Sequence, residues 1–169
     1  MLKEFIDFVD SVLLSVSPDL RDSAKTAILQ FEKTGQQLKY MMLTPLEHLS
    51  QGDIISHVPF IYFDDDGAQK IFSADAFVLS TSCHIDQKER IILVPIFPLE
   101  GFDGNLVDLK RNTIFDYMYI PDECMSDKFI DFEYMNTYSK NLIIKGIAEG
   151  KIRRLGSLNQ LGYYFFVVK

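Results

Sequence analysis

Tryptophan is absent, and the 169 residues hold only two cysteines and three histidines. Cys83 and Cys124 do not form a C-x-x-C pair, so a zinc ribbon is excluded on spacing. Two cysteines do not make a disulfide framework either. His48, His57 and His84 show no H-x-H or H-x-x-x-H spacing, and no metal or cofactor is expected. No G-x-G-x-x-G, P-loop or G-x-S-x-G occurs, which leaves nucleotide hydrolysis and hydrolase chemistry without a motif. No internal repeat or low-complexity stretch is visible. No signal peptide is readable, and no apolar run approaches spanning length. The expected setting is the cytoplasm, without a membrane partner.

Positive charge is also scarce. The formal net charge is −7. Residues 1–84 carry six Lys/Arg against twelve Asp/Glu, whereas residues 85–169 carry eleven against twelve. An acidic chain repels phosphate at long range, so non-specific nucleic-acid binding is disfavoured. A local basic face in the second half stays open.

What is present is a globular composition. Apolar residues make up 47% and charged residues 24%, enough for one domain with a real core. Fourteen Phe and eight Tyr suit strands packed on a sheet.

Leu2, Phe5, Val9, Val12, Leu13 and Val16 recur at helical spacing. Ser17-Pro18-Asp19 then marks a stop and a restart, and Gly35 a second stop. An N-terminal αα-hairpin over residues 1–43 follows, with residues 44–169 as a β-rich part of the same folding unit. Thr44-Pro45 predicts one short helical turn through Leu49. Five strands are expected: Ile54–Phe63, bent or at an edge because of Pro59; Lys70–Ser80; Arg90–Phe97, central because almost wholly apolar; Thr113–Ile120; and Phe129–Tyr134. Asp64-Asp65-Asp66-Gly67 reads as a solvated hairpin turn, since the calcium-loop register fails. Gly101–Asn112 reads as a loop or short helix. Ser157-x-x-Gln160 resembles a capping box, and Leu158, Leu161, Phe165 and Val168 fit a C-terminal helix, although Tyr163–Val168 has strand composition. The expected fold is α+β: a small, strongly curved antiparallel sheet or partly open barrel, with a C-terminal helix.

The most unusual stretch is Ser80-Thr81-Ser82-Cys83-His84-Ile85-Asp86, where a hydrophobic strand ends in small polar residues and a histidine. Cys83 beside His84 could be an activated thiol, with Ser82 and Asp86 orienting it. The alternative is a core cysteine and a hydrogen-bonded strand-end histidine. The densest basic cluster is Lys151, Arg153 and Arg154, which could hold a phosphate, an RNA backbone or an acidic partner, or simply solvate a helix face.

Two segments resemble a known group. Gly52-Asp53-Ile54-Ile55 and Phe77-Val78-Leu79-Ser80 are similar to characteristic strands of the MazF/PemK-type toxin superfamily. Ser80-Thr81-Ser82-Cys83-His84-Ile85 resembles an S-x-S-C-D-I element of uncharacterised bacterial and phage proteins that resemble that superfamily. Pro121, Asp131-Phe132 and Arg153–Phe166 are similar to their later pattern. The resemblance implies an SH3-like β-barrel over residues 44–169. It also implies a metal-independent endoribonuclease that cuts single-stranded RNA with an Arg after the first strand and a Ser/Thr elsewhere. Here that loop, Asp64–Gln69, holds three Asp and no Arg, and His84 replaces the Asp of the element. The expected function is therefore a non-catalytic interaction module, binding a protein or nucleic-acid partner in bacterial or phage conflict. The alternative is a ribonuclease using Ser80 with Arg153 or Arg154, or a Cys83/His84 activity. A homodimer through the N-terminal hairpin is a further expectation.

Overall fold

A computed structural model describes residues 39–169. The expected N-terminal hairpin falls outside them, except that Met41–Met42 form a short strand, β1. The remaining elements are β2 (Asp53–Phe63), β3 (Gln69–Val78), α1 (Ser82–Gln87), β4 (Arg90–Pro98), α2 (Leu106–Lys110), β5 (Tyr117–Met118), β6 (Lys128–Asp131), β7 (Asn136–Ser139), α3 (Lys140–Ala148), β8 (Arg154–Leu158) and α4 (Gln160–Val168). Short 3-10 turns lie at Leu99–Gly101 and Glu123–Met125.

All strands join one antiparallel sheet in the order β1-β8-β2-β3-β4-β6-β5. β3 takes one edge of β4. The other edge is shared by β7, opposite Arg90–Leu93, and β6, opposite Ile96–Pro98. The α+β class and antiparallel sheet agree with the sequence reading. The expected barrel or strong curl does not form: the sheet is open. Closure would need a backbone ladder between β7 and β2. The contacts there come from side chains instead, with Asn136 exchanging two hydrogen bonds with Ile61 and Tyr138 donating to the Pro59 carbonyl.

The apolar run of β4 is explained by two covered faces. Val94 and Ile96 join Ile54, Phe77 and Ile130 in one core, covered by Phe165 and Phe166 of α4. Ile91 and Leu93 join Ile55, Val78 and Phe60 in the other, covered by Ile85 of α1 and Ile143 of α3. The bend expected at Pro59 falls at a bulge between Ile55 and Val58, where His57 takes φ 58°.

Three short strands, β1, β7 and β8, were not legible in sequence. β7 reads Asn-Thr-Tyr-Ser and β8 Arg-Leu-Gly-Ser-Leu, compositions that carry little strand signal. The helical turn expected at Thr44–Leu49 is absent, and Thr113–Ile120 shrinks to β5. Flanking β5, the Asn112 amide holds the Tyr119 backbone by two 2.8 Å hydrogen bonds and so takes the place of a strand neighbour. The C-terminal helix forms, but Ser157 lies in β8 and its cap is Asn159, whose side chain accepts from Gly162 N at 2.9 Å. Among the described residues no helix is long and apolar enough to cross a membrane.

Candidate binding pocket

The stretch after β3 is used for structure. Ser80 is buried, and its Oγ accepts from Ile92 N at 2.8 Å, tying β3 to β4. Thr81 caps α1 by accepting from His84 N. Ser82 Oγ accepts from Gln51 N. Cys83 and His84 are neighbours on this one short helix, and among the described residues no hydrogen bond joins them. The His84 ring instead lies 3.2 Å from the Arg90 carbonyl. Cys83 is exposed, which overturns the expectation of a core cysteine, whereas the hydrogen-bonded histidine of that reading is present.

The basic cluster is dispersed. Lys151 pairs with Glu149 at 2.7 Å on the surface. Arg153 is exposed, with its backbone N donating to Ser56 Oγ. Arg154 turns inward to the fully buried Asp53, at 2.7 Å, and to the His48 carbonyl. Arg154 and Asp86 do line a common pocket of about 350 Å³, under α3. Its other cation, Lys140, is spent on the carbonyls of Ile85 and Asp86 at the end of α1.

A larger pocket, about 480 Å³, was not singled out in the sequence. Strand alternation builds it. Phe97 of β4 lies opposite Phe129 of β6, and Tyr117 of β5 lies opposite Asp131 of β6. All four therefore face one side. Phe102, delivered by the 3-10 turn after β4, meets Phe129 at 5.2 Å and Tyr117 at 5.3 Å, both edge to face. Tyr134 closes the side next to Phe97. Three carboxylates, Asp103, Asp131 and Glu133, share the lining.

Asp131 is the unusual group. It is 5% exposed. Its Oδ1 accepts from Glu133 N at 2.9 Å. Among the described residues no protein donor reaches Oδ2 and no cation pairs with the carboxylate. Burial pushes its carboxyl up to about 6, assisted by the nearby Glu133 and Asp116 charges and opposed by the Glu133 N–H. Tyr117 donates its hydroxyl to Glu133 Oε2 at 2.9 Å, and that bond holds the phenol well above its ordinary value. Aromatic rings around unpaired carboxylates attract organic cations. The sequence signal was the alternation Phe129-Ile130-Asp131-Phe132-Glu133-Tyr134, in which acids share a strand face with aromatics.

Compared with known protein families and with curated proteins, the sequence finds no match.

Proposed function

We propose that this chain is a non-catalytic interaction module that binds a partner protein through the pocket around Asp131. The observation that carries this reading is a buried carboxylate without a countercharge among the described residues, set in an open aromatic pocket. Such a group is only partly solvated in the free protein and gains a countercharge on binding. A non-catalytic role is supported by Ser80 and Arg154, which are committed to internal hydrogen bonds, so that among the described residues no nucleophile, base and cation converge. A protein is favoured over nucleic acid because the pocket is acidic and Lys151 and Arg154 are held by separate carboxylates, Glu149 and Asp53. The resemblance to MazF/PemK-type toxins extends the reading to bacterial or phage conflict.

The test has two arms. Photo-crosslinking from a position in the pocket wall, in host extract, is expected to yield a protein adduct that Phe102→Leu abolishes and Arg153→Ala leaves intact. An adduct insensitive to Phe102→Leu counts against the pocket. Incubation with single-stranded RNA and EDTA is expected to leave the RNA intact. Discrete cleavage, lost in Arg153→Ala, would reinstate the endoribonuclease reading.

A further inference from the structure

Resting on that reading, we infer that the pocket receives an organic cation, namely a protonated arginine or lysine side chain presented by the partner protein.

The chemistry of the walls selects the charge. Phe97, Phe102, Tyr117 and Phe129 supply rings, and their quadrupoles favour a cation over their faces. Asp131 supplies the countercharge from the pocket floor, with Oδ2 accepting nothing from the described residues. Glu133 is partly committed to Tyr117 and Asp103 is exposed to solvent, so Asp131 is the buried carboxylate left to meet an incoming N–H donor. A neutral or anionic ligand would leave that buried carboxylate unpaired.

The same walls argue against a metal ion. A divalent cation needs several oxygen ligands at short, convergent distances. Among the described residues no three ligating side chains are grouped to hold one. A volume of about 480 Å³ also exceeds what an inorganic ion requires and falls in the range of organic-ligand sites.

A macromolecular source is favoured by the segment that leads into β5. Tyr117 belongs to β5, an end strand of the sheet path. Two residues earlier, Phe115 is 84% exposed, a large apolar contact that a free amine would not cover. A basic side chain carried on a polypeptide can fill the pocket while its neighbours cover Phe115. The acidic balance of the whole chain, −7, favours the approach of such a segment.

Titration of the full chain with a short acetylated, amidated peptide, Gly-Leu-Arg-Leu-Gly, followed by NMR and calorimetry, tests this. Citrulline and lysine versions and tetramethylammonium are the comparison ligands. Saturable binding of the arginine or lysine peptide is expected, with shifts at Phe102, Tyr117 and Asp131. The citrulline peptide should bind at least about tenfold more weakly, the loss expected when a desolvated cation is neutralised. Asp131→Asn and Phe102→Leu, checked for folding by circular dichroism, should each weaken binding by about the same factor. Equal binding of the citrulline peptide, or undiminished binding by folded Asp131→Asn, overturns the cation assignment. Tetramethylammonium binding as tightly as the peptide overturns the polypeptide source. If no cationic probe binds while a protein adduct still depends on Phe102, the cation assignment fails and the module reading stands. An adduct indifferent to Phe102 removes the pocket as the site of that module, and the absence of any protein adduct removes the module reading itself.

Discussion

Arg154 Nη2 lies 2.7 Å from Oδ2 of Asp53, and the carboxylate it meets is fully buried. Asp53 also accepts from Ser157 Oγ at 2.5 Å and from Ser50 N at 2.9 Å. The same guanidinium group donates to the His48 carbonyl at 2.9 Å. The pair thus joins β2, β8 and the segment before β2. Removing one partner of a buried ion pair strands the other. Arg154→Met is expected to lower stability by about 3–5 kcal/mol. The double variant Asp53→Asn/Arg154→Met should recover part of that loss, because no bare charge remains. Urea denaturation of the two variants checks this. A double variant less stable than Arg154→Met would mean that geometry, not charge, is what the pair supplies.

Gly162 sits in the first turn of α4, where the helix passes over β1. A Cβ there would stand 2.1 Å from the Tyr40 carbonyl oxygen and 2.9 Å from Leu158 Cδ2. Backbone cannot yield as a side-chain end can. Gly162→Ala, normally favourable inside a helix, is therefore expected to destabilise by about 1–3 kcal/mol. The urea midpoint reads it directly, and an unchanged or raised midpoint refutes the close approach.

These two relationships show where sequence reading stops. β2, β3 and β4 were legible because each is nine to eleven residues long and carries β-branched and aromatic side chains between turn signals. α4 was legible from its apolar stripe. The open sheet was not, since it depends on β7 meeting β2 through Asn136 and Tyr138 rather than through a ladder. Arg154 looked like a surface cation in the run Lys151–Arg154. Only strand pairing, with Ile55 opposite Arg154, brings it to Asp53. The pocket had the same difficulty: its residues come from four segments, and only the registers Phe97–Phe129 and Tyr117–Asp131 bring them together. Composition reports that acids and aromatics exist. Register decides that they face each other.

The two thiols differ in surroundings and should differ in reactivity. Cys124 Sγ donates to Asp122 Oδ1 at 3.3 Å, and burial together with that carboxylate pushes the thiol up to about 11. Both cysteines are exposed, but among the described residues no carboxylate is hydrogen-bonded to Cys83, on α1. Because the thiolate is the reacting form, alkylation at pH 8 should label Cys83 at least about tenfold faster than Cys124. Peptide mapping after a short iodoacetamide pulse measures the ratio. Faster labelling of Cys124 would mean that the Asp122 contact is not kept in solution.

Asp131 gives stability a pH dependence of defined sign. Its folded-state carboxyl is pushed up to about 6, above an unfolded value of about 4. Between those values the folded chain binds more protons than the unfolded chain, so this group's contribution is full below about pH 4 and is lost as pH rises through about 6. The loss should be about 1–2 kcal/mol after allowance for solvent at the pocket mouth. Among the described residues, the charged and titratable groups around it, Glu133, Asp116, Asp103, Tyr117 and Tyr134, include no cation to reverse the sign. Asp122 behaves oppositely. Burial alone would raise it, but hydrogen bonds from Tyr40 N and Met41 N prevail and lower it, so its contribution is lost only in acid. Urea unfolding of wild type and Asp131→Asn at pH 4.5 and 7.5 separates Asp131 from every other titrating group. The variant should gain on wild type as pH rises, by about 1 kcal/mol or more at pH 7.5. A difference between the two proteins that is flat across this interval would show that Asp131 is already paired in the free protein, and the pocket would then have no vacant countercharge to offer a cation.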